Sequence, residues 1–266
     1  KVEKDVLILD HARVFSICDV TSFSPIFIAY VTNTGGDKAD DTVSVIHTKE
    51  KQKMASSIPV GDFPSGAAIT PDGQRVYVTN CFHHSVSVIS AITNTEIHGR
   101  IKVGNGPLDI AMSPNGLHAY VVNFAENTVS VINTEMNTEI FPRIAVGAVP
   151  VAAAFAPNGT KAYVANSKDD TVSVIDTSKK REVFTIKVGS GPAGIAVTPD
   201  GSRLYVTNGF EHTVSVIDTN SNKVIGFPIP VGRDPRGIAI TPDGSRAYVT
   251  NLNEGSLKGD VSIINT

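Results

Sequence analysis

Tyr30-Val-Thr-Asn33 recurs as Tyr77-Val-Thr-Asn80, Tyr120-Val-Val-Asn123, Tyr163-Val-Ala-Asn166, Tyr205-Val-Thr-Asn208 and Tyr248-Val-Thr-Asn251. The tyrosines stand 47, 43, 43, 42 and 43 residues apart. A period in the low forties accommodates four short strands with their turns, the sequence signature of one propeller blade per repeat.

The repeat from Pro192 to Gly232 shows how a blade is written. Ile195-Ala-Val-Thr198 is an almost wholly apolar run, suited to an inner strand buried on both faces. Pro199-Asp-Gly201 turns the chain, proline entering and glycine free to take positive φ. Arg203-Leu-Tyr-Val-Thr207 is a second strand. Thr213 to Asp218 alternates Val214 and Val216 with Thr213 and Ser215, a third strand with one polar face. Lys223 to Val231 reads as the fourth. No window has helical periodicity, so the chain is all-β. The turn recurs at Pro71-Asp-Gly73, Pro114-Asn-Gly116, Pro157-Asn-Gly159 and Pro242-Asp-Gly244.

The first repeat lacks that turn. Pro25-Ile-Phe-Ile-Ala29 aligns with Pro192-Ala-Gly-Ile-Ala196, and Tyr30 follows at once, so an inner hairpin is missing. The chain ends on a third strand, Val261-Ser-Ile-Ile264, while the N-terminus holds two spare runs. Val6 to Leu9 is expected to complete the last blade, and Arg13 to Cys18 to be the inner strand of the first. The expectation is a six-bladed β-propeller of four-stranded antiparallel blades, one domain closed by its N- and C-terminal strands, with seven blades as the alternative.

Formal charge is -3 and no run of one sign occurs, which argues against nucleic acid as a partner. No apolar stretch approaches the roughly 20 residues that span a bilayer, so membrane insertion is not expected. Charged residues form 18% of the chain, and Thr, Ser, Asn, Val and Gly carry the surface. That balance, with a first residue other than methionine, leads to an extracytoplasmic expectation with a leader removed. Cys18 and Cys81 lack metal-ligand spacing and read as two thiols rather than a bridge.

These units resemble the YVTN-repeat β-propeller family of surface-layer and other exported proteins. The resemblance rests on the Tyr-Val-Thr-Asn strand end, Thr-Val-Ser-Val-Ile-Asp, Val-Gly-x-x-Pro and the Thr-Pro-Asp-Gly turn, from about Pro25 onward. It implies a propeller, often seven-bladed and often one module of a cell-surface protein. It carries no fixed catalytic set.

Chemistry is sought in loops that depart from the repeat. Those joining second to third strands hold Cys81-Phe-His-His84, Phe124-Ala-Glu-Asn127, Ser167-Lys-Asp-Asp170, Gly209-Phe-Glu-His212 and Leu252-Asn-Glu254. Loops approaching the inner strands add Asp62, Phe63, Asn105, Arg233 and Arg236. A shared metal on His83, His84 and His212 is disfavoured, because His84 and His212 occupy opposite blades of a six-bladed ring and ligand bonds are about 2 Å. They read as solvated loop residues, and no cofactor is expected. Asp109 stands where other repeats have Gly66, Ala152, Gly194 and Gly237. Arg236 replaces Ser65, Leu108, Val151 and Ala193. The candidate ligand face is therefore Phe82, His83, His84, Asp109, Phe124, Glu126, Phe210, Glu211, His212 and Arg236. The recurrent asparagines read as turn-fixing groups.

No nucleophile elbow, phosphate loop or His-Glu zinc motif is present. The expected function is a binding or scaffold module that recognises a protein, glycan or small-molecule ligand through one loop face. The alternative is a propeller enzyme of lactonase or lyase type with its site at the channel mouth.

Overall fold

The computed structural model describes residues 14–18, 28–34, 41–50, 52–53, 57–253 and 259–266. Every regular element in them is a strand, and together they form six antiparallel sheets. The first blade comprises β1 (Val14–Cys18), β2 (Ile28–Asn33), β3 (Thr42–His47), β4 (Gln52–Lys53) and β5 (Ile58–Pro59). The second is β6 (Pro64–Ile69), β7 (Arg75–Asn80), β8 (Ser85–Ser90) and β9 (Thr95–Lys102). The third is β10 (Pro107–Met112), β11 (His118–Asn123), β12 (Thr128–Asn133) and β13 (Thr138–Ala145). The fourth is β14 (Pro150–Phe155), β15 (Lys161–Asn166), β16 (Thr171–Asp176) and β17 (Arg181–Lys187). The fifth is β18 (Pro192–Val197), β19 (Arg203–Asn208), β20 (Thr213–Asp218), β21 (Lys223–Val224) and β22 (Ile229–Pro230). The sixth has β23 (Pro235–Ile240), β24 (Arg246–Asn251) and β25 (Asp260–Asn265). Strands follow chain order within each sheet. The fold is the all-β six-bladed β-propeller class read from the repeat.

Two boundaries differ from expectation. Ile28 and Ala29 open the second strand of the first blade, pairing with Cys18 and Ile17 of β1, rather than forming an inner strand. Within the run expected to supply that inner strand, Val14–Cys18 forms it. In the fifth blade the outer strand is broken: β21 and β22 both pair with β20, and Gly226 between them takes φ +70. The run Val6 to Leu9, assigned to the last blade, lies outside the described residues.

Contacts divide the chain into two compact units, residues 1–121 with 131–140, and residues 122–130 with 141–266. In the first, β6 packs against β1 and β10; in the second, β18 packs against β14 and β23. The cores lie between consecutive blades. Val43, Val45, Val76, Val78 and Ile89 form one cluster, and Val172, Val174, Leu204, Val206 and Ile217 another. The repeat string writes these contacts directly. Tyr30 donates its hydroxyl to Asn94 Oδ1 at 2.9 Å and Tyr77 to Asn137 Oδ1 at 2.7 Å, each reaching an outer turn of the following blade. Burial raises the phenols of Tyr30 and Tyr163 to about 12. Asn80 donates to Ser85 and Ser87 hydroxyls at 3.2 and 3.0 Å and accepts the Gly61 N–H at 3.0 Å. A Cβ on Gly61 would sit 2.6 Å from that asparagine, so the glycine of Val-Gly-x-x-Pro follows from the asparagine it crosses.

Candidate functional site

The loops that follow second strands meet the loops that approach inner strands. Within the second blade, Cys81 N–H donates to Phe63 O and Phe82 N–H to Asp62 O, at 3.0 and 3.3 Å. The equivalent bonds in the fourth and fifth blades run from Ser167 to Val149 and from Gly209 to Gly191, both 2.8 Å.

The last residue of these loops in the second to fifth blades has left-handed backbone. His84, Asn127, Asp170 and His212 have φ of 50, 56, 56 and 58. Each accepts a backbone N–H from the approach loop of the following blade: Gly106 to His84 Nδ1 at 3.1 Å, Val149 to Asn127 Oδ1 at 2.9 Å, Gly191 to Asp170 Oδ1 at 2.9 Å and Asp234 to His212 Nδ1 at 3.1 Å. His84 and His212, read from sequence as solvated loop residues, are exposed and also act as clamps between blades. The preceding position clamps within its own blade. Asp62 N–H donates to His83 Nδ1 at 3.0 Å, and Ala148 N–H to Asp169 Oδ2 at 2.6 Å. Arg100 Nη1 also lies 3.2 Å from His83 Nδ1. Among the described residues no three His, Cys, Asp or Glu side chains converge as a metal set.

The other candidates fall into two local groups. In the first unit, the Phe63 and Phe82 rings stack at 4.7 Å with a 34° tilt, and Phe82 is 65% exposed. Asp109 is buried on β10, its backbone close against Gly66. Cys81, the residue before Phe82, is a buried thiol. In the second unit, Arg143 Nη1 donates to Glu126 Oε1 at 2.8 Å, and its guanidinium lies 5.4 Å over Phe141. Phe124 is half-buried. Phe210 is 71% exposed and rests on Gly191, where a Cβ would meet the ring at 2.6 Å. Glu211 lies over Gly189. Arg236 Nη2 donates to Asp234 Oδ2 at 2.9 Å, and Asp234 is buried. Asp234 was missed from sequence; it takes left-handed backbone, which Asp tolerates, at φ 49.

The opposite, turn-bearing side of the second unit holds a cavity of about 460 Å³ lined by Thr198, Asp200, Arg203, Asp243 and Thr266 among others. Its carboxylates close their own turns. The Thr198 hydroxyl and the Ser202 amide and hydroxyl hold Asp200 down to about 2, and Thr241 with Ser245 does the same for Asp243.

The model of the family described as lactonase, seven-bladed β-propeller, matches residues 90–258. Curated proteins give no match. Among solved structures, Kuenenia stuttgartiensis hydrazine synthase is similar at TM-score 0.62 and 19% identity, over 90% of this chain and 92% of that one. A functionally unknown protein from Desulfotomaculum acetoxidans DSM 771 is similar at TM-score 0.71 and 21% identity, over 84% of this chain and 75% of that one. Identities this low bear on the fold alone. The family match spans well over half of the sequence, and the chain belongs to the lactonase seven-bladed β-propeller family, here with six blades among the described residues.

Proposed function

We propose that this propeller is an exported binding module that recognises a glycan or protein partner through its loop face. One observation carries the reading. The polar loop residues His84, Asn127, Asp170 and His212 are engaged in holding the loops, whereas Phe82 and Phe210 stand exposed at their tips. An exposed aromatic ring on an anchored loop, Phe82 in the first unit and Phe210 in the second, is a contact group: large area at small conformational cost. The resemblance of the Tyr-Val-Thr-Asn string to exported YVTN-repeat proteins is what motivates the extracytoplasmic placement.

The family match favours a second reading, hydrolysis of a lactone. The groups available to it are the buried Asp109 carboxyl in the first unit and the Asp234–Arg236 pair in the second. Two measurements separate the readings. Glycan and peptide arrays probed with the wild type and with a Phe82→Ser/Phe210→Ser variant should show binding that the variant loses while melting unchanged. Turnover of simple γ- or δ-lactones that disappears in Asp109→Asn would sink the binding reading and establish the enzymatic one.

A further inference from the structure

Two of the four clamps between blades are imidazoles and two are not. The Gly106 and Asp234 amides rest on imidazole Nδ1 atoms, while the Val149 and Gly191 amides rest on Asn127 and Asp170 oxygens. An imidazole nitrogen accepts a hydrogen bond only when it carries no proton. Imidazole gains its second proton between about pH 8 and pH 5, a range in which an amide does not titrate and a carboxylate is already ionised.

His212 has a second option built in. Its Nδ1 lies 3.1 Å from the Asp234 nitrogen and also 3.0 Å from the Gly209 carbonyl oxygen. In the neutral ring the lone pair takes the Asp234 N–H. In the imidazolium, Nδ1–H donates to Gly209 O and the Asp234 N–H faces a donor. Asp234 holds Arg236 through its carboxylate, so release of this segment also frees the guanidinium on the candidate face.

We propose that the loop face carries a proton-operated latch, in which neutral His84 and His212 hold the approach loops of the following blades and their protonation lets those loops go. The latch acts on the third-blade approach loop through Gly106 and on the sixth-blade loop through Asp234. It leaves the fourth- and fifth-blade loops closed.

The surrounding charges differ at the two histidines. His84 follows His83, which meets Asp62 and Arg100. His83 itself answers acid in two opposed ways: its Nδ1 loses the Asp62 N–H, while its Nε2, 3.9 Å from the Asp62 carboxylate, gains an ion pair. The approach loop over His84 has no ionisable group of its own, so nothing there offsets the lost acceptor. Around His212 stand Glu211 in its own loop, Arg233 and Asp234 on the loop it clamps, and Arg236 on β23.

Amide hydrogen exchange followed by NMR tests the latch on the full chain. Protection factors, corrected for intrinsic rates, are compared at about pH 7.5 and about pH 5.5, on either side of the imidazole transition. The amides of Gly106 and Asp234 should lose protection about fivefold, the scale of one net hydrogen bond, while Val149 and Gly191 hold theirs. His84→Asn and His212→Asn install the acceptor used at position 127 and should abolish the pH response of their own partner amide only. Three results overturn the proposal: equal protection at both pH values, loss at all four amides together, or a pH response that survives in the Asn variants.

Discussion

Threonine at the third position of the repeat string joins blade to blade, and a glycine makes room for the junction. Thr207 Oγ1 accepts the Gly194 N–H at 2.7 Å and donates to Arg236 O of the next inner strand at 2.9 Å. Thr79 does the same with Gly66 at 2.7 Å and Leu108 O at 3.2 Å. A Cβ on Gly194 would lie 2.1 Å from Arg236 O, and one on Gly66 2.8 Å from Leu108 O. The two residues depart together: Val122 accompanies Asp109, and Ala165 accompanies Ala152. This coupling gives the Asp109 anomaly a partner on the adjacent strand that a reading of single positions passed over. Thr207→Val should cost about 1–3 kcal/mol, since it strands a buried N–H and a carbonyl. Gly194→Ala should be at least as damaging, because the atom met is backbone. Gly99, with open space around it, is the control: Gly99→Ala should hold or raise stability by about 0.4–1 kcal/mol. Urea unfolding of the three variants ranks them, and a Gly194→Ala protein as stable as Gly99→Ala would refute the close-approach argument.

Turns and strands were legible at the scale of the element because their partners lie within one repeat. Thr-Pro-Asp-Gly announces itself: Thr198 Oγ1 donates to Asp200 Oδ1 at 2.5 Å, and Ser202 N–H to the same atom at 3.0 Å. The clamping histidines were not legible, since their donors belong to the next repeat, though alignment of His84, Asn127, Asp170 and His212 as side-chain acceptors held the clue. The broken outer strand of the fifth blade was also hidden, since an exposed edge needs no regular pattern. Asp200 and Asp243, held at about 2 against the ordinary carboxylate value near 3.9, set an acid limit. A lowered carboxylate contributes stability that is whole above about pH 4 and drains away as pH falls towards 2. An Asp200→Asn/Asp243→Asn protein should therefore lie below wild type at pH 7 and converge on it near pH 2; parallel urea midpoints across that range would contradict the assignment. His84→Ala removes the Gly106 acceptor and should cost about 1 kcal/mol, while a chelator should leave the melting of wild type unmoved. A chelator-sensitive melt that becomes insensitive in His84→Ala would restore the metal reading.

Across the whole molecule the repeat buries the tyrosines of its first five copies, Tyr30, Tyr77, Tyr120, Tyr163 and Tyr205, and three of them set an alkaline limit. Tyr30, Tyr77 and Tyr163 are all nearly inaccessible to water, and burial holds their phenols in the neutral form, raised to about 12 for Tyr30 and Tyr163 and raised also for Tyr77. In the unfolded chain a phenol ionises near pH 10. A raised folded value means that the native state keeps its protons where the unfolded state sheds them. The contribution to stability is thus complete below about pH 10 and is lost as pH climbs from 10 towards 12. The tyrosines of the two compact units fall on both sides of the division, Tyr30 and Tyr77 in one and Tyr163 in the other, so both units should weaken over the same window. The expected result is a urea midpoint steady from pH 8 to 10 that then falls steeply, accompanied by phenolate absorbance that rises with unfolding instead of ahead of it. Tyr30→Phe and Tyr163→Phe should each flatten the fall, because phenylalanine has no proton to lose, while lysine titration, which continues in both variants, cannot mimic that difference. Phenolate absorbance that reaches completion in the folded protein by about pH 10.5 would show that these rings are not buried against the next blade, and the junctions assigned to the repeat string would have to be redrawn.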